Sequence, residues 1–334
     1  MFKNMTNLLF LTITILSVMI VLNSNNWISM WMGLEMNLMA FIPLISKSNN
    51  HLMAESNMMY FLMQSMGSLI LLITVMSNNM LMMINITVNN YLNMILLMSL
   101  AIKLGMPPFH FWFPEMMSKM NWYKCYILMT WQKVAPMTIM SMIYMEKLML
   151  LLILMSVMVG AIGGLNQTSM RKIMAYSSIN HSGWMMSCMY MHNNSWLLYM
   201  VLYSIMLLPI ITWMTMYNMY MLNQMKIMTN TIMDKLNMSV MFMSLGGLPP
   251  FMGFFPKWMV IQYMIDLKMY HILLIMVMFS LLTLFYYMRM ISPLLMINFT
   301  INKWLIKFNS PKLMSTIMFM VNMSMPLLMY INLY

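Results

Sequence analysis

Gly105-Met106-Pro107-Pro108-Phe109-His110-Phe111-Trp112-Phe113-Pro114-Glu115 returns 142 residues later as Gly247-Leu248-Pro249-Pro250-Phe251-Met252-Gly253-Phe254-Phe255-Pro256-Lys257. Both copies obey G-x-P-P-F-x-x-x-F-P at the same internal spacing. So many fixed positions do not coincide by chance, and the match marks an internal repeat. Paired prolines remove backbone donors and clash with the preceding turn, so each copy interrupts a helix. Gly105, Pro107 and Pro108 make one predicted break; Gly247, Pro249 and Pro250 make the other.

The surroundings decide what kind of helix is broken. The chain of 334 residues is 62% hydrophobic and 7% charged, whereas a soluble domain carries roughly a quarter charged residues. Too little charge is present to cover a water-facing surface, so the solvent is lipid. In lipid, a helix interruption survives only where it is buried in protein or lines a wet cavity. A spanning helix takes about 20 apolar residues. Segments of that kind run over 5–22, 27–46, 57–77, 91–113, 125–145, 148–166, 173–191, 195–217, 238–265, 270–291 and 313–332. The predicted fold is an all-α integral membrane protein of about eleven transmembrane helices. It forms a single polytopic domain over 1–334 whose inverted-repeat halves are approximately 1–165 and 166–334.

The basic residues test that count. With the faces numbered alternately, Lys3, Lys47, Lys119, Lys124, Arg171, Lys172, Lys226, Lys235, Arg289, Lys303, Lys307 and Lys312 fall on one side. Only Lys147 and Lys268 fall on the other. A wrong count would scramble the partition. The positive-inside rule then sets the N-terminus on the inner side and the C-terminus outside. The net charge of +11 reflects this asymmetry; the cations form no stripe, and no nucleic acid is expected as a partner.

Three cations escape the partition: Lys103, Lys133 and Lys257, each well inside a span, as is Glu35. His181 lies centrally in 173–191, between Asn180 and Ser182. Each charge at that depth opposes insertion by roughly 2.5–3.5 kcal/mol, about 10 kcal/mol for the four before pairing reduces it. One carboxylate cannot neutralise three amines, so some of them must be unpaired, hydrated or neutral, which is an arrangement suited to handling protons. The two breaks fall in the fourth and ninth spans, which run in opposite directions. An inverted repeat with paired broken helices is characteristic of transporters and locates the ion path. Lys103 precedes the first break and Lys257 follows the second, so both amines lie on the outer side of their breaks.

The remaining features read as structural. The 63 methionines are adaptable apolar filler and reflect coding bias rather than copper binding. Cys125 and Cys188, two isolated thiols in apolar stretches, cannot supply the ligands of an iron–sulfur cluster or structural zinc. His51, His192 and His271 read as interfacial; His110, inside the first break, fits either a hydrated path or a helix end. Gly160, Gly163 and Gly164 read as helix packing. No cleavage site follows the first span, so the chain is expected to keep it.

Several stretches together are specific: Ile102 to Glu115, Leu128-Met129-Thr130-Trp131-Gln132-Lys133-Val134-Ala135-Pro136, Gly163 to Lys172, Ala175 to His181, and Gly246 to Trp258. They resemble subunit 2 of NADH:ubiquinone oxidoreductase, respiratory complex I, as encoded in animal mitochondria. The resemblance spans nearly the whole chain and is weakest over 292–334. The methionine excess fits an AT-rich mitochondrial genome such as an insect's. The resemblance implies an antiporter-like membrane-arm subunit of a proton-pumping enzyme, related to cation/proton antiporters. It carries the family's key glutamate onto Glu35 and its lysines onto Lys103, Lys133 and Lys257. The doubled proline at 107–108 is a departure where many relatives are expected to carry Ala-Pro. FMN, iron–sulfur clusters and ubiquinone would be bound by other subunits, with no cofactor or metal in this chain. Implied partners are subunits 4, 4L and 6, nuclear-encoded accessory subunits and membrane lipids. The implied location is the mitochondrial inner membrane, multi-pass, with the N-terminus in the matrix and the C-terminus in the intermembrane space. The expected mechanism carries protons along a mid-membrane axis of Glu35, Lys103, Lys133, His181 and Lys257. Two alternatives stand beside it: a stand-alone cation/proton antiporter, which would purify by itself, and a passive spacer of the membrane arm, in which apolar replacements of the lysines would be harmless.

Overall fold

The computed structural model describes residues 5–46, 51–83, 89–143, 145–191, 194–225, 232–295 and 320. The predicted span 313–332, and Lys3, Lys47, Lys226, Lys303, Lys307, Lys312 and His192, lie outside the described residues apart from Met320. The chain divides into two compact units, Met1–Leu152 and Ile153–Tyr334.

The first unit contains α1 (Met5–Asn23), α2 (Trp27–Ile45), α3 (His51–Met83), α4 (Asn89–Leu104), α5 (Trp112–Lys119), α6 (Trp122–Met129) and α7 (Trp131–Met142). Here α2 packs on α1 and α3, α4 packs on α3 and α7, and α7 also touches α1 and α2. The second unit takes in most of α8 (Glu146–Leu165), then α9 (Met170–Tyr190), α10 (Ser195–Met216), α11 (Ile232–Gly246), α12 (Phe254–Asp266) and α13 (Tyr270–Leu295). In it α9 packs on α10 and α12, and α11 on α10 and α13. Six of these helices are long and apolar enough to cross a membrane: α1, α2, α3, α8, α10 and α13.

Helical periodicity and burial agree about which faces meet lipid. On α3, Leu62, Met66, Leu69, Ile73 and Met76 form an exposed stripe, and on α13 Leu274, Met278, Leu281 and Phe285 form another. Apolar side chains at i, i+4, i+7 and i+11 share one helix face, and faces this apolar would not be left open to water. Methionine occurs both in the core (Met116, Met137, Met185) and on the outer faces (Met66, Met278), as a general filler would. Buried hydroxyls are satisfied within their own helices: Ser99, Ser156 and Ser182 each donate to the carbonyl three residues back, at 2.6–2.8 Å. With no water in the hydrocarbon, that local bond is the cheapest way to bury a serine.

The repeated motif folds the same way twice. At the end of α4, Gly105 N–H donates to Ile102 and Met106 N–H to Ala101; at the end of α11, Gly247 N–H donates to Ser244 and Leu248 N–H to Met243. This is the Schellman termination, which needs a left-handed residue just past the helix. Gly105 (φ 68°) and Gly247 (φ 78°) supply it. The next bonds also recur, Phe109 N–H to Met106 and Phe251 N–H to Leu248, then Phe113 N–H to His110 and Phe255 N–H to Met252. The peptide Pro107–Pro108 is cis. The chain leaves helix at 105 and 247 and re-enters it at Trp112 and Phe254.

Elsewhere the helices depart from the sequence reading. The predicted span 125–145 is divided at Thr130 (φ −112°, ψ −78°) into α6 and α7. Lys133 therefore sits in the first turn of α7 rather than in mid-helix. Two cations of the crowded side of the partition also close helix ends. Lys124 Nζ donates to Ile45 O of α2 at 2.7 Å, and the Arg289 guanidinium binds Leu165 O and Gln167 O at the end of α8. Cations are favoured where free carbonyls gather at a helix C-terminus. The glycines of α8 make close approaches, as expected of packing residues. A Cβ on Gly160 would meet the Asn180 backbone at 2.7 Å, one on Gly163 the Tyr176 ring at 2.3 Å, and one on Gly164 the Tyr286 ring at 2.7 Å.

Candidate functional site

In the first unit, Lys103 and Lys133 are both buried, 5% and 2% exposed. The break after α4 leaves Lys103 one residue from the helix end, its stem laid across α3, where a Cβ on Gly67 would meet Lys103 Cγ at 2.9 Å. Lys133 lies over the Phe113 ring, 5.3 Å from its centre. The two amines line one small cavity of about 20 Å³ with Tyr60, Gln64, Trp112 and Gln132. One water needs about 10–15 Å³ and two to four polar partners; this cavity offers both. The Trp112 indole N–H is buried with no hydrogen-bond partner among the described residues, a donor suited to such a water.

Neutral amides hold the site together. Asn37 of α2 and Gln132 of α7 exchange two hydrogen bonds, 2.8 and 2.9 Å, and the Tyr60 hydroxyl adds a third to Gln132 at 3.2 Å. Gln64 Nε2 donates to Lys103 O at 2.9 Å, satisfying one of the carbonyls that the break orphans. Glu35 stands on α2 two residues before Asn37, half-buried, and acts on Lys103 through space. Among the described residues the direct ion pair is Lys119–Glu55, at the rim; Glu35 and Lys103 make none. The expected pairing is thus a Coulombic influence across a gap. Breaking the amide pair in Asn37→Leu strands the half-buried Gln132 amide, which costs about 1 kcal/mol, the low end for an unsatisfied polar group. A lower thermal midpoint for the assembled protein, smaller in the Asn37→Gln control, checks it.

In the second unit, Lys257 is 4% exposed in the first turn of α12. It folds back over the break, and its Nζ donates to Gly246 O at 2.9 Å. Gly247 makes room, since a Cβ there would lie 2.8 Å from Lys257 Cδ and 3.0 Å from Nζ. The amine thus meets the carbonyl end of α11, where a helix carries partial negative charge, and lies 5.8 Å from the Trp184 ring centre. His181 is buried, its Nδ1 2.9 Å from the Tyr199 hydroxyl and its ring 4.7 Å from that of Tyr203. The repeat is chemically unequal: Glu115, the counterpart of Lys257, is exposed. His110, 8% exposed, has Nδ1 3.4 Å from Pro108 O and packs on Phe111.

Comparison with known proteins follows from this geometry. Residues 24–283 match the family model described as NADH:quinone oxidoreductase/Mrp antiporter, TM. The chain is 40% identical over 324 residues to NADH-ubiquinone oxidoreductase chain 2 of Anopheles gambiae, covering 96% of this chain and 95% of that one. It is 41% identical over 315 residues to the Locusta migratoria protein of the same name, covering 94% and 92%. The chain belongs to the NADH-ubiquinone oxidoreductase chain 2 family. Its fold is also that of a chain in respiratory complex I from Thermus thermophilus with bound aureothin. That likeness has a TM-score of 0.81 at 19% identity and covers 94% of this chain and 75% of that one. A chain of the Mrp complex from Dietzia sp. gives a TM-score of 0.74 at 18% identity, covering 84% and 59%. For this chain 2 homologue, the sequence singled out the amines, Glu35 and His181. It overlooked Asn37, Tyr60, Gln64 and Trp112, although an amide inside an apolar span was the available signal for Asn37 and Gln64.

Proposed function

We propose that the chain is an antiporter-like membrane-arm subunit of a proton-translocating NADH:ubiquinone oxidoreductase, and that Glu35, Lys103, Lys133, His181 and Lys257 carry protons through it. The observation that carries this reading is the pair of buried amines, Lys103 and Lys133, facing one water-sized polar cavity with Glu35 acting on the first of them. A purely structural site would put a carboxylate against each amine, because an unpaired buried charge is costly. Around Lys103 and Lys133 the cavity presents neutral groups, the amides of Gln64 and Gln132 and the rings of Trp112 and Phe113, a lining that lets a proton move. An approaching carboxylate favours the ammonium form, and a receding one favours release. Motion of α2 that changes the gap between Glu35 and Lys103 therefore drives a proton towards Lys133. In the second unit His181 and Lys257 perform the corresponding transfer. Moving one charge against the membrane potential takes about 2.3 kcal/mol per 100 mV, supplied by quinone reduction in other subunits, which also bind FMN, the iron–sulfur clusters and ubiquinone.

The same reading takes the chain as one polytopic domain of eleven crossings with inverted halves, 1–165 and 166–334. Segments 105–111 and 247–253 are breaks within the fourth and ninth spans. The N-terminus is in the mitochondrial matrix and the C-terminus in the intermembrane space, with subunits 4, 4L and 6 and nuclear-encoded accessory subunits as neighbours. The cation asymmetry and the repeated Schellman terminations support it. Glu35→Gln lowers the number of protons moved per NADH oxidised by inner-membrane vesicles, whereas Lys307→Gln, outside the proposed set, leaves it unchanged. Equal ratios in both variants and the parent would refute the assignment.

A further inference from the structure

Five buried polar atoms of the second unit belong together. Asn180 Oδ1, Trp184 Nε1 and the hydroxyls of Tyr203, Tyr286 and Tyr287 are all buried without a well-formed hydrogen bond among the described residues. Each belongs to a chain of neighbours that begins at His181. The Tyr203 ring lies 4.7 Å from the imidazole, and its hydroxyl faces Ser178 on α9. The Tyr287 hydroxyl faces Ser177, and its ring meets that of Tyr286 at 4.7 Å between centres. Tyr286 in turn packs on Gly164 at the end of α8, where Arg289 grips Leu165 O and Gln167 O. That end carries Arg171 and Lys172, the cation-rich face. In the other direction the ring centre of Trp184, three residues beyond His181 on α9, lies 5.8 Å from Lys257 Nζ. Ser177, His181 and Trp184 stand at i, i+4 and i+7 on α9, one face of that helix, spread over about 10 Å along its axis.

Native interiors leave few polar groups unpaired, and those that persist mark water or function. An apolar ring would fill these tyrosine positions as well. The hydroxyls earn nothing by packing.

We infer that Tyr286, Tyr287 and Tyr203, with Ser177, Ser178 and intervening water, form a hydroxyl relay that brings protons from the cation-rich face, at the α8–α9 turn, to His181. The inference deepens the proton-carrying reading above and rests on it: it supplies the second unit with its own route of uptake. Each hydroxyl accepts a proton on a lone pair as it gives up its own, so no tyrosinate accumulates and charge balances at every step. Tyr199, hydrogen-bonded to His181 Nδ1, orients the imidazole at the end of the relay.

The test replaces Tyr203, Tyr286 and Tyr287 together by Phe in the intact complex. The rings remain, and no well-formed hydrogen bond of these hydroxyls is lost, so assembly and NADH oxidation with an artificial acceptor stay normal. NADH-driven proton uptake by inner-membrane vesicles falls about a hundredfold or more, as expected when positioned proton-transferring groups are removed. Tyr199→Phe slows it less. Lys257→Met serves as the control for the underlying reading. If Lys257→Met loses uptake and the triple variant keeps it, the relay is wrong and the reading survives; if both keep it, the reading itself falls. Should the triple variant fail to assemble, a map of the unaltered complex at water-resolving resolution decides. Ordered water bonded to the Tyr203 and Tyr287 hydroxyls and Asn180 Oδ1 supports the relay, and a dry cluster overturns it.

Discussion

Lys257→Met yields a complex that assembles and oxidises NADH with an artificial acceptor but loses coupled proton translocation by roughly a hundredfold, the lower range of what a positioned proton-transferring group contributes. Met matches the lysine stem in length and flexibility, so the space over Gly247 stays filled. The substitution leaves Gly246 O without the ammonium that now donates to it at 2.9 Å, a loss of about 1–3 kcal/mol. Removing a buried amine from an apolar site offsets part of that. Folding is therefore nearly neutral while the amine that caps the carbonyl end of α11 disappears from the transfer chain. Proton uptake per NADH in vesicles, read beside the amount of assembled complex, separates the two effects. A passive spacer would show neither loss.

The second large effect is structural and concerns the same break. Gly253→Ala prevents the second unit from folding, because the added Cβ would lie 1.6 Å from Ser244 O and 2.6 Å from its carbon. Both atoms are backbone, at the last turn of α11, so no side-chain rotation relieves the clash. The segment that returns from the Schellman turn must pass directly over that carbonyl for α12 to start where it does. Displacing it costs about 4 kcal/mol or more, the range reserved for named steric failures, and moves Lys257 away from Gly246. Gly246→Ala is the matched control. Its nearest neighbour would be 3.6 Å away, and the helical position favours Ala by about 0.4–1 kcal/mol. Immunoblots of native gels should show no assembled complex for Gly253→Ala and a normal band for Gly246→Ala.

What could be read from the chain alone depended on the kind of interaction. The helix terminations at Gly105 and Gly247 were legible because Pro-Pro and a left-handed glycine act within five residues, and their fourfold pattern of backbone bonds recurs at each copy. The amines were legible because charge is expensive in lipid wherever it sits. The Asn37–Gln132 clasp was not, since its partners are 95 residues apart and no local rule pairs them. The division at Thr130 also went unseen, since 125–145 reads as one continuous apolar span and nothing in its spacing marks a stop at that residue. The tyrosines of the second unit carried no signal in the sequence, and what sets Tyr203, Tyr286 and Tyr287 apart is hydroxyls buried without a well-formed hydrogen bond. Lys133 was found, yet its place in the first turn of α7, over Phe113, came from the fold.

The account stands on amines enclosed in protein and reached by water. A map of the intact complex with ordered waters resolved tests this most directly. It should show water bonded to both Lys103 and Lys133 in the cavity beside Trp112, and the Lys257 and His181 side chains enclosed within the second unit with water between them. Amines extended to lipid or to the headgroups, with a dry cavity between Lys103 and Lys133, would contradict it.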